Sequence, residues 1–184
     1  MSLPLFCVGL SHHTAPVDVR ERLMLPEDRQ TELLQAMAQA PAEALLVSTC
    51  NRVELYVVGP GADVGDRTRA ALAGAAGPDL APFLYAHHGE KAVLHLFRVA
   101  ASLDSMVLGE PQILGQVKDA FEQAQRLGAA RGELTRVCAA AFGILLEARF
   151  VAGWRGRRVA VLTMLGFAVL VVSFVTRYGP WGVR

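Results

Sequence analysis

Cysteine is scarce in this chain of 184 residues, which contains only Cys7, Cys50 and Cys138. Three scattered cysteines cannot build the disulfide framework of a small secreted domain, and the N-terminus lacks the basic start and apolar stretch of a signal peptide. The composition is 53% hydrophobic and 19% charged with a net charge of +1, which excludes disordered and collagen-like chains. The sequence therefore predicts a reduced, cytoplasmic globular domain.

A recognisable nucleotide-binding unit is also missing. No Gly-x-Gly-x-x-Gly follows a predicted strand, and the nearest imitation, Gly153-Trp154-Arg155-Gly156, has no strand before it. The length suits one domain, whereas a dehydrogenase with separate cofactor and substrate domains needs roughly twice as many residues. The five histidines show no His-x-x-x-His spacing and the cysteines no Cys-x-x-Cys spacing, so no metal site is predicted.

Acidic residues are absent after Glu147. Residues 1–148 contain all 17 Asp and Glu and 12 Lys and Arg, a net charge of −5, whereas residues 149–184 contain six arginines and no acid, a net charge of +6. The two parts are therefore different kinds of polypeptide.

The basic part contains an apolar run, 159–175, with no charged residue. Its 17 residues lie at the lower edge of what spans a bilayer as a helix, and a buried core helix or a pair of strands are the alternatives. We expect a basic linker over 143–158, an apolar helix over 159–175 that anchors the cytoplasmic domain to the membrane, and a short tail over 176–184.

Apolar periodicity before residue 147 alternates between the periods of strands and helices. Strands are predicted over 5–10, 44–48, 53–58 and 83–87. Helices are predicted over 17–23, from 26 to about 41, and over 64–75, 90–101, 112–127 and 133–146. This order predicts an α+β sandwich with one mixed or antiparallel sheet covered by helices.

Cys50 lies at the end of an apolar strand, between Thr49 and Asn51 and two residues before Arg52. A loop at a strand end exposes side chains that the sheet holds in place, and a nearby guanidinium favours thiolate over thiol. These conditions suit a nucleophile. A half-buried structural cysteine is the alternative, and position alone does not decide between them.

Two other places could contribute chemistry. His95 shares a helix face with Ala92 and Val99, so it is either a packed core histidine or, if that face meets the Cys50 loop, an acid or base. The segment Ser105–Gln112 joins two helices and contains a hydroxyl, a carboxylate and an amide, which suits recognition of a small polar group. Alternatively, Glu110 and Gln112 only cap the following helix.

Four motifs in order closely resemble the N-terminal catalytic domain of glutamyl-tRNA reductases over about residues 3–142. They are Gly9-Leu10-Ser11-His12-His13-Thr14-Ala15-Pro16-Val17 with Arg20-Glu21-Arg22, Ser48-Thr49-Cys50-Asn51-Arg52-Val53-Glu54-Leu55-Tyr56, His95-Leu96-Phe97-Arg98-Val99-Ala100, and the stretch from Leu103 to Lys118. The resemblance implies a ferredoxin-like α/β sandwich. It also implies conversion of glutamyl-tRNA and NADPH to glutamate 1-semialdehyde, the entry to tetrapyrrole (porphyrin) biosynthesis from glutamate.

The resemblance also implies roles for individual residues. Cys50 would be the nucleophile that holds the glutamyl group as a thioester, and His95 matches a histidine important for activity. The positions that match the family's glutamyl-binding residues are Thr49, Asn51, Arg52, Ser105, Glu110, Pro111, Gln112 and Gln116. Arg52 can pair with the substrate carboxylate and Glu110 can balance its ammonium group.

The chain departs from the family after Phe142. Family members continue into a basic linker, an NADPH-binding domain and a helical dimerisation domain through which they form homodimers, whereas this tail faintly resembles the last membrane segment of cytochrome c assembly proteins. We expect a catalytic domain over 1–142 that acts on glutamyl-tRNA and is truncated before the NADPH domain and the dimerisation domain. A non-enzymatic, membrane-tethered module that binds glutamyl-tRNA or a full-length reductase is the alternative.

Overall fold

The computed structural model describes residues 4–21, 25–39, 41–106 and 112–143. The strands are β1 (Leu5–Ser11), β2 (Glu43–Thr49), β3 (Arg52–Val58) and β4 (Tyr85–His88). They form a four-stranded sheet in the order β2-β3-β1-β4, and every neighbouring pair is antiparallel. All seven residues of β3 are buried, because this strand lies in the interior of the sheet with neighbours on both edges.

Helices cover both faces of the sheet. They are α1 (Val17–Glu21), α2 (Glu27–Met37), α3 (Val64–Ala76), α4 (Glu90–Ala100), α5 (Gln112–Arg126) and α6, the helical stretch 133–143. α2 and α3 contact each other and one face of the sheet, while α4 and α5 contact each other and pack on the sheet from β2 to β4. The strand order, with helices joining β1 to β2 and β3 to β4, is the ferredoxin-like arrangement, so the predicted fold is confirmed.

The two faces of the sheet differ in chemistry, because successive side chains of a strand point to opposite sides. Phe6, Val8 and Leu10 of β1 lie on the side of α3, where the Phe6 ring approaches Gly65. We call this side the apolar face. The opposite side, which we call the polar face, presents Arg52 and Glu54 of β3 towards α4.

A buried carboxylate ties α6 to the first residue of β2. Glu43 is 6% exposed, and its two oxygens accept hydrogen bonds from the backbone N–H groups of Arg131 and Glu133, both 2.8 Å, and of Leu134, 3.2 Å. A negative charge is stabilising at the N-terminal end of a helix, where backbone N–H groups lack partners within the helix. Glu43 therefore fixes the beginning of α6 to the sheet.

The strand predicted over 83–87 begins later than expected. The structure has a 3₁₀ helix over Pro78–Phe83, and β4 starts at Tyr85. Proline has no N–H for a strand ladder and its fixed φ suits the first turn of a helix, so Pro78 and Pro82 favour the helical turn. β4 ends where Gly89 adopts a φ of 59° and turns the chain into α4.

The predicted membrane segment finds no support in the structure. Within the described ranges, every helix is too short or too polar to cross a bilayer. The run 159–175, the tail 176–184 and all but the first residue of the predicted linker 143–158 lie outside the described residues.

Candidate active site

Cys50 and Asn51 form a tight turn between β2 and β3, since Thr49 and Arg52 are the last paired residues of the two strands. The Thr49 hydroxyl oxygen accepts hydrogen bonds from the backbone N–H of Asn51 at 3.3 Å and of Arg52 at 3.2 Å. Such local side-chain bonds satisfy backbone groups that the turn leaves without ladder partners. The turn presents Cys50 as an exposed side chain.

Two contacts from other elements hold the same turn. The backbone N–H of His12, next to β1, donates to the Asn51 carbonyl at 3.0 Å. Nη1 of Arg20, on α1, donates to Oδ1 of Asn51 at 2.7 Å and contacts the Cys50 carbonyl oxygen at 3.4 Å. Arg20 is only 8% exposed, so a buried arginine holds the turn formed by Cys50 and Asn51.

An open cleft lies beside the turn, with about 400 Å³ of empty space including its solvent-facing part. Its lining comprises Thr49, Cys50, Asn51, Arg52, Ser105, Gln112, Ile113 and Gln116. Every predicted substrate-binding residue within the described ranges therefore lines the same cleft as Cys50. Glu110 and Pro111 lie outside the described residues.

His95 does not belong to the lining of this cleft. It is 9% exposed, its Nε2 lies 2.9 Å from Oε1 of Glu54, and the same nitrogen lies 3.4 Å from the Tyr85 hydroxyl. The helix face that carries His95 thus meets the polar face of the sheet at Glu54. Its predicted role as acid or base stays a prediction, and its described contacts link it to the cleft through Glu54 and Arg52.

Glu54 is the centre of a buried polar network. It is fully buried, and its Oε1 accepts from Nη1 of Arg52 at 2.8 Å and from the Tyr85 hydroxyl, while its Oε2 accepts from the Tyr56 hydroxyl at 2.7 Å. Burial alone would raise the pKa of Glu54. Hydrogen bonding and charge from His95, the Arg52 charge and the Tyr85 hydrogen bond outweigh burial and lower the pKa to about 2.

Arg52 connects this network to the segment before the cleft residue Ser105. The guanidinium is 2% exposed, and besides Glu54 its Nη1 donates to Oδ2 of Asp104 at 3.1 Å, while its Nη2 donates to the Asp104 backbone carbonyl. Two carboxylates of the chain therefore already pair with Arg52. Its predicted pairing with a substrate carboxylate stays a prediction, and the geometry adds the task of holding the backbone beside Ser105.

Gly9 makes room for this network. It pairs with Glu54 across β1 and β3, and a Cβ on Gly9 would lie 2.5 Å from the Val53 carbonyl oxygen and 2.7 Å from Cγ of Glu54. A Cβ atom does not approach a non-bonded atom this closely, so the Val53 backbone and the Glu54 side chain occupy the space that a side chain at position 9 would need.

Four residues of the site were not predicted as such: Arg20, Glu54, Tyr85 and Asp104. A signal existed for Glu54, because Arg52 and Glu54 alternate within an apolar strand and must share one face. No local signal identifies Arg20 or Asp104, whose contacts with the turn and with Arg52 span 31 and 52 positions of the chain.

Cys7, Glu54 and His95 are the described residues whose possible metal-binding atoms come together, all within 4.8 Å. The arrangement is unsuited to a cation for two reasons. Glu54 already pairs with the positive charge of Arg52, and burial, followed by the Glu54 charge, raises the pKa of the Cys7 thiol well above its usual value. A protonated thiol and a carboxylate whose negative charge is already balanced by an arginine bind a metal ion weakly.

A dinucleotide does not fit the described residues either. Dinucleotide-binding units place a glycine-rich turn between a strand and a helix of a parallel βαβ unit. Every strand pair in the described sheet is antiparallel. The described part of the chain therefore gives no support for bound NADPH.

Fold and site together define a ferredoxin-like α+β domain with an exposed cysteine in a polar cleft. The family model for the glutamyl-tRNA(Glu) reductase N-terminal domain matches residues 8–149. The chain belongs to this family.

Known proteins agree with the assignment. The chain is 59% identical over 148 residues to a glutamyl-tRNA reductase of Myxococcus xanthus, covering 80% of this chain and 34% of that protein. It is 43% identical over 165 residues to one of Nitratidesulfovibrio vulgaris, covering 88% and 38%. The solved structure of glutamyl-tRNA reductase from Methanopyrus kandleri superposes with a TM-score of 0.66 at 33% identity, covering 80% and 34%.

The chain thus spans about a third of the length of the relatives it matches. The family match ends at residue 149, and the faint resemblance of the tail to cytochrome c assembly proteins is not borne out. The predicted boundaries within 143–184 stay predictions.

Proposed function

We propose that this domain performs the acyl-transfer step of glutamyl-tRNA reduction, in which Cys50 takes the glutamyl group from glutamyl-tRNA. The observation that carries the proposal is the cleft, which joins an exposed thiol to the polar side chains of two further elements. The cleft lies within the residues that match the glutamyl-tRNA(Glu) reductase N-terminal domain.

The step is a thiol–ester exchange. The Cys50 sulfur forms a bond to the glutamyl carbonyl carbon, the bond between that carbon and the ribose oxygen of the tRNA breaks, and the thiol proton ends on that oxygen. A thioester on the protein and a free tRNA end result. Cysteine suits this reaction because a thiol is already partly ionised near neutral pH and is intrinsically very nucleophilic.

The other cleft residues would hold the glutamyl group. Gln112 and Gln116 are one turn apart on α5 and Ser105 follows α4 in the chain, so amide and hydroxyl groups from two parts of the chain would face the acyl group. Such neutral donors and acceptors fix the orientation of a small polar ligand. Glu110 and Pro111 belong to the same proposed set.

His95 and Arg52 support the cleft in this proposal. His95 bonds to Glu54, Glu54 to Arg52, and Arg52 to Asp104, which precedes Ser105. The histidine would therefore act on the reaction by keeping this chain of contacts in place. Arg52 would also offer positive charge to the substrate carboxylate at the cleft wall.

Reduction of the thioester by NADPH to glutamate 1-semialdehyde, in porphyrin biosynthesis, is proposed only for the family's complete proteins. The described residues do not fit a dinucleotide, so we expect the isolated chain to lose its glutamyl group to water. Slow release of glutamate, equal with and without NADPH, is the expected product pattern. Formation of the semialdehyde by this chain alone would contradict that expectation.

Labelling of the purified chain with radioactive glutamyl-tRNA tests the proposal. Cys50→Ser should abolish acid-stable labelling without changing the fold, because a serine hydroxyl without an activating base is a poor nucleophile at neutral pH. Cys138→Ala, which alters a fully buried cysteine, is the matched control and should be labelled like the parent. Equal labelling of Cys50→Ser would contradict the proposal, and binding of glutamyl-tRNA without labelling would favour a non-enzymatic binding module.

A further inference from the structure

Arg20 contacts the cysteine turn although it does not line the cleft. Its guanidinium reaches the turn from α1, where Val19 is buried and the Arg20 backbone N–H bonds to the Pro16 carbonyl. The contact joins residues 31 positions apart and places a buried positive charge against an amide and a carbonyl. The acyl-transfer step described above assigns no task to this arginine.

The chemistry of the two partners fixes how the Asn51 amide is turned. A guanidinium has only hydrogen-bond donors, whereas an asparagine amide has an acceptor oxygen at one end and a donor NH₂ at the other. The 2.7 Å contact with Arg20 therefore requires the oxygen of Asn51. Since Asn51 also lines the cleft, the group that its side chain has left to offer a ligand is the NH₂ donor.

We propose that Arg20 is a positioning residue that holds the Asn51 amide with its NH₂ group available to the cleft beside Cys50. The inference rests on the proposed function, because the acceptor would be the ester carbonyl oxygen of the glutamyl group. Negative charge develops on this oxygen as the Cys50 sulfur attacks. A donor fixed in advance at such an oxygen stabilises the transition state more than the bound substrate.

Arginine is well suited to this task. One nitrogen of its guanidinium, Nη1, contacts both the Asn51 oxygen and the Cys50 carbonyl, and a guanidinium stays charged when buried, whereas a lysine ammonium readily loses its charge on burial. Both contacts fall on adjacent residues of one turn. Loss of the guanidinium would therefore release the amide orientation and one restraint on the backbone of the nucleophile together.

The first test compares Arg20→Met with the parent in the full chain. Methionine retains a long apolar side chain but no donor, so the acylation rate constant at saturating glutamyl-tRNA should fall about 10- to 100-fold. Alkylation of Cys50 by iodoacetamide should stay within about twofold of the parent, because a small reagent needs no positioned amide. Cys7 and Cys138 are fully buried, so in the folded protein the reagent reports on Cys50.

Arg69→Met is the matched control. Arg69 is a half-buried arginine on α3 that donates to the Leu84 carbonyl at 3.2 Å, away from the cleft lining. This variant should acylate like the parent. Unchanged acylation in Arg20→Met, or an equal loss in Arg69→Met, would overturn the proposal.

A double-mutant cycle separates positioning through Asn51 from a general structural effect. Asn51→Ala removes the amide, so adding Arg20→Met to it should cost little further acylation rate. Effects that multiply would show that Arg20 acts independently of Asn51 and would overturn the proposal. Should Arg20→Met fail to fold, Arg20→Lys replaces it in the same cycle, and the same non-additivity is expected.

A second measurement keeps this inference separate from the proposed function. Absence of labelling in the parent would contradict the acyl-transfer proposal itself. The ¹⁵N spectrum of the Asn51 side-chain NH₂ still reports on its contact with Arg20. Its resonances should shift in Arg20→Met and not in Arg69→Met, and unshifted resonances in both variants would overturn the inference.

Discussion

The two faces of the sheet are built from the same strands but are held together in different ways. The apolar face presents Phe6, Val8 and Leu10 to α3 and depends on close packing of hydrocarbon. The polar face presents Arg52 and Glu54 at almost no solvent exposure and depends on their mutual neutralisation. The cleft beside Cys50 lies at the end of the polar face, where the strands meet the turn.

The difference shows what each face contributes. Buried ion pairs are weak sources of net stability, because desolvation offsets their attraction, and apolar residues of similar volume often do as well. A network of directional bonds fixes geometry more narrowly than packing does. The polar face therefore accounts for the placement of Asp104 and Ser105, whereas buried apolar residues on both sides of the sheet supply most of the stability of the domain.

The largest expected effect on stability comes from breaking the network at its centre. Glu54→Gln keeps the shape of the side chain but leaves Arg52 as a buried charge that only Asp104 still pairs. Breaking a buried pair in this way should lower the free energy of unfolding by about 3–5 kcal/mol. Urea unfolding monitored by circular dichroism measures the change.

Glu32→Gln is the control for this variant. Glu32 pairs with Arg29 at 2.9 Å, but both side chains are more than 60% exposed. An exposed pair contributes at most about 1 kcal/mol, so this variant should remain close to the parent. Similar losses of unfolding free energy in Glu54→Gln and Glu32→Gln would show that the buried network contributes no more to stability than an exposed ion pair.

The acid side of the stability profile should report the same network. The pKa of Glu54 in the folded protein is about 2, below its ordinary value, so its contribution is present above about pH 4.5 and is lost as the pH falls towards 2. The shift corresponds to about 3 kcal/mol. Unfolding free energies measured from pH 6 to pH 2 should therefore fall more steeply in the parent than in Glu54→Gln, and parallel profiles would contradict the assignment.

A smaller effect tests the space that Gly9 provides. Gly9→Ala places a Cβ against the Val53 carbonyl and Glu54, so we expect a loss of about 1–3 kcal/mol from overpacking. Gly74 on α3 has nothing within 4 Å of a built Cβ, so Gly74→Ala should stabilise the protein by about 0.5–1 kcal/mol. Thermal unfolding of Gly9→Ala and Gly74→Ala compares the two effects. An unchanged unfolding free energy in Gly9→Ala would contradict the close packing of β1 against Val53 and Glu54.

The sequence predicts the elements well where the signal is local. The strands predicted over 44–48 and 53–58 and the helix predicted over 112–127 follow from apolar periodicity, and the structure confirms each of them to within one residue at either end. β4 begins two residues later than expected, because prolines favour a 3₁₀ helix in front of it. The contacts of Arg20 with Asn51 and of Asp104 with Arg52 join distant parts of the chain, so the periodicity of the sequence does not predict them.

The bonds between Glu43 and the first turn of α6 have a mechanical consequence. β2 begins at Glu43 and ends at Thr49, so one strand joins the root of α6 to the nucleophile-bearing turn. All seven residues of β2 pair with β3, so the ladder holds both ends of this strand in the sheet. The beginning of α6 is therefore fixed relative to the turn that contains Cys50, and a displacement of this helix end would reach the cleft through β2.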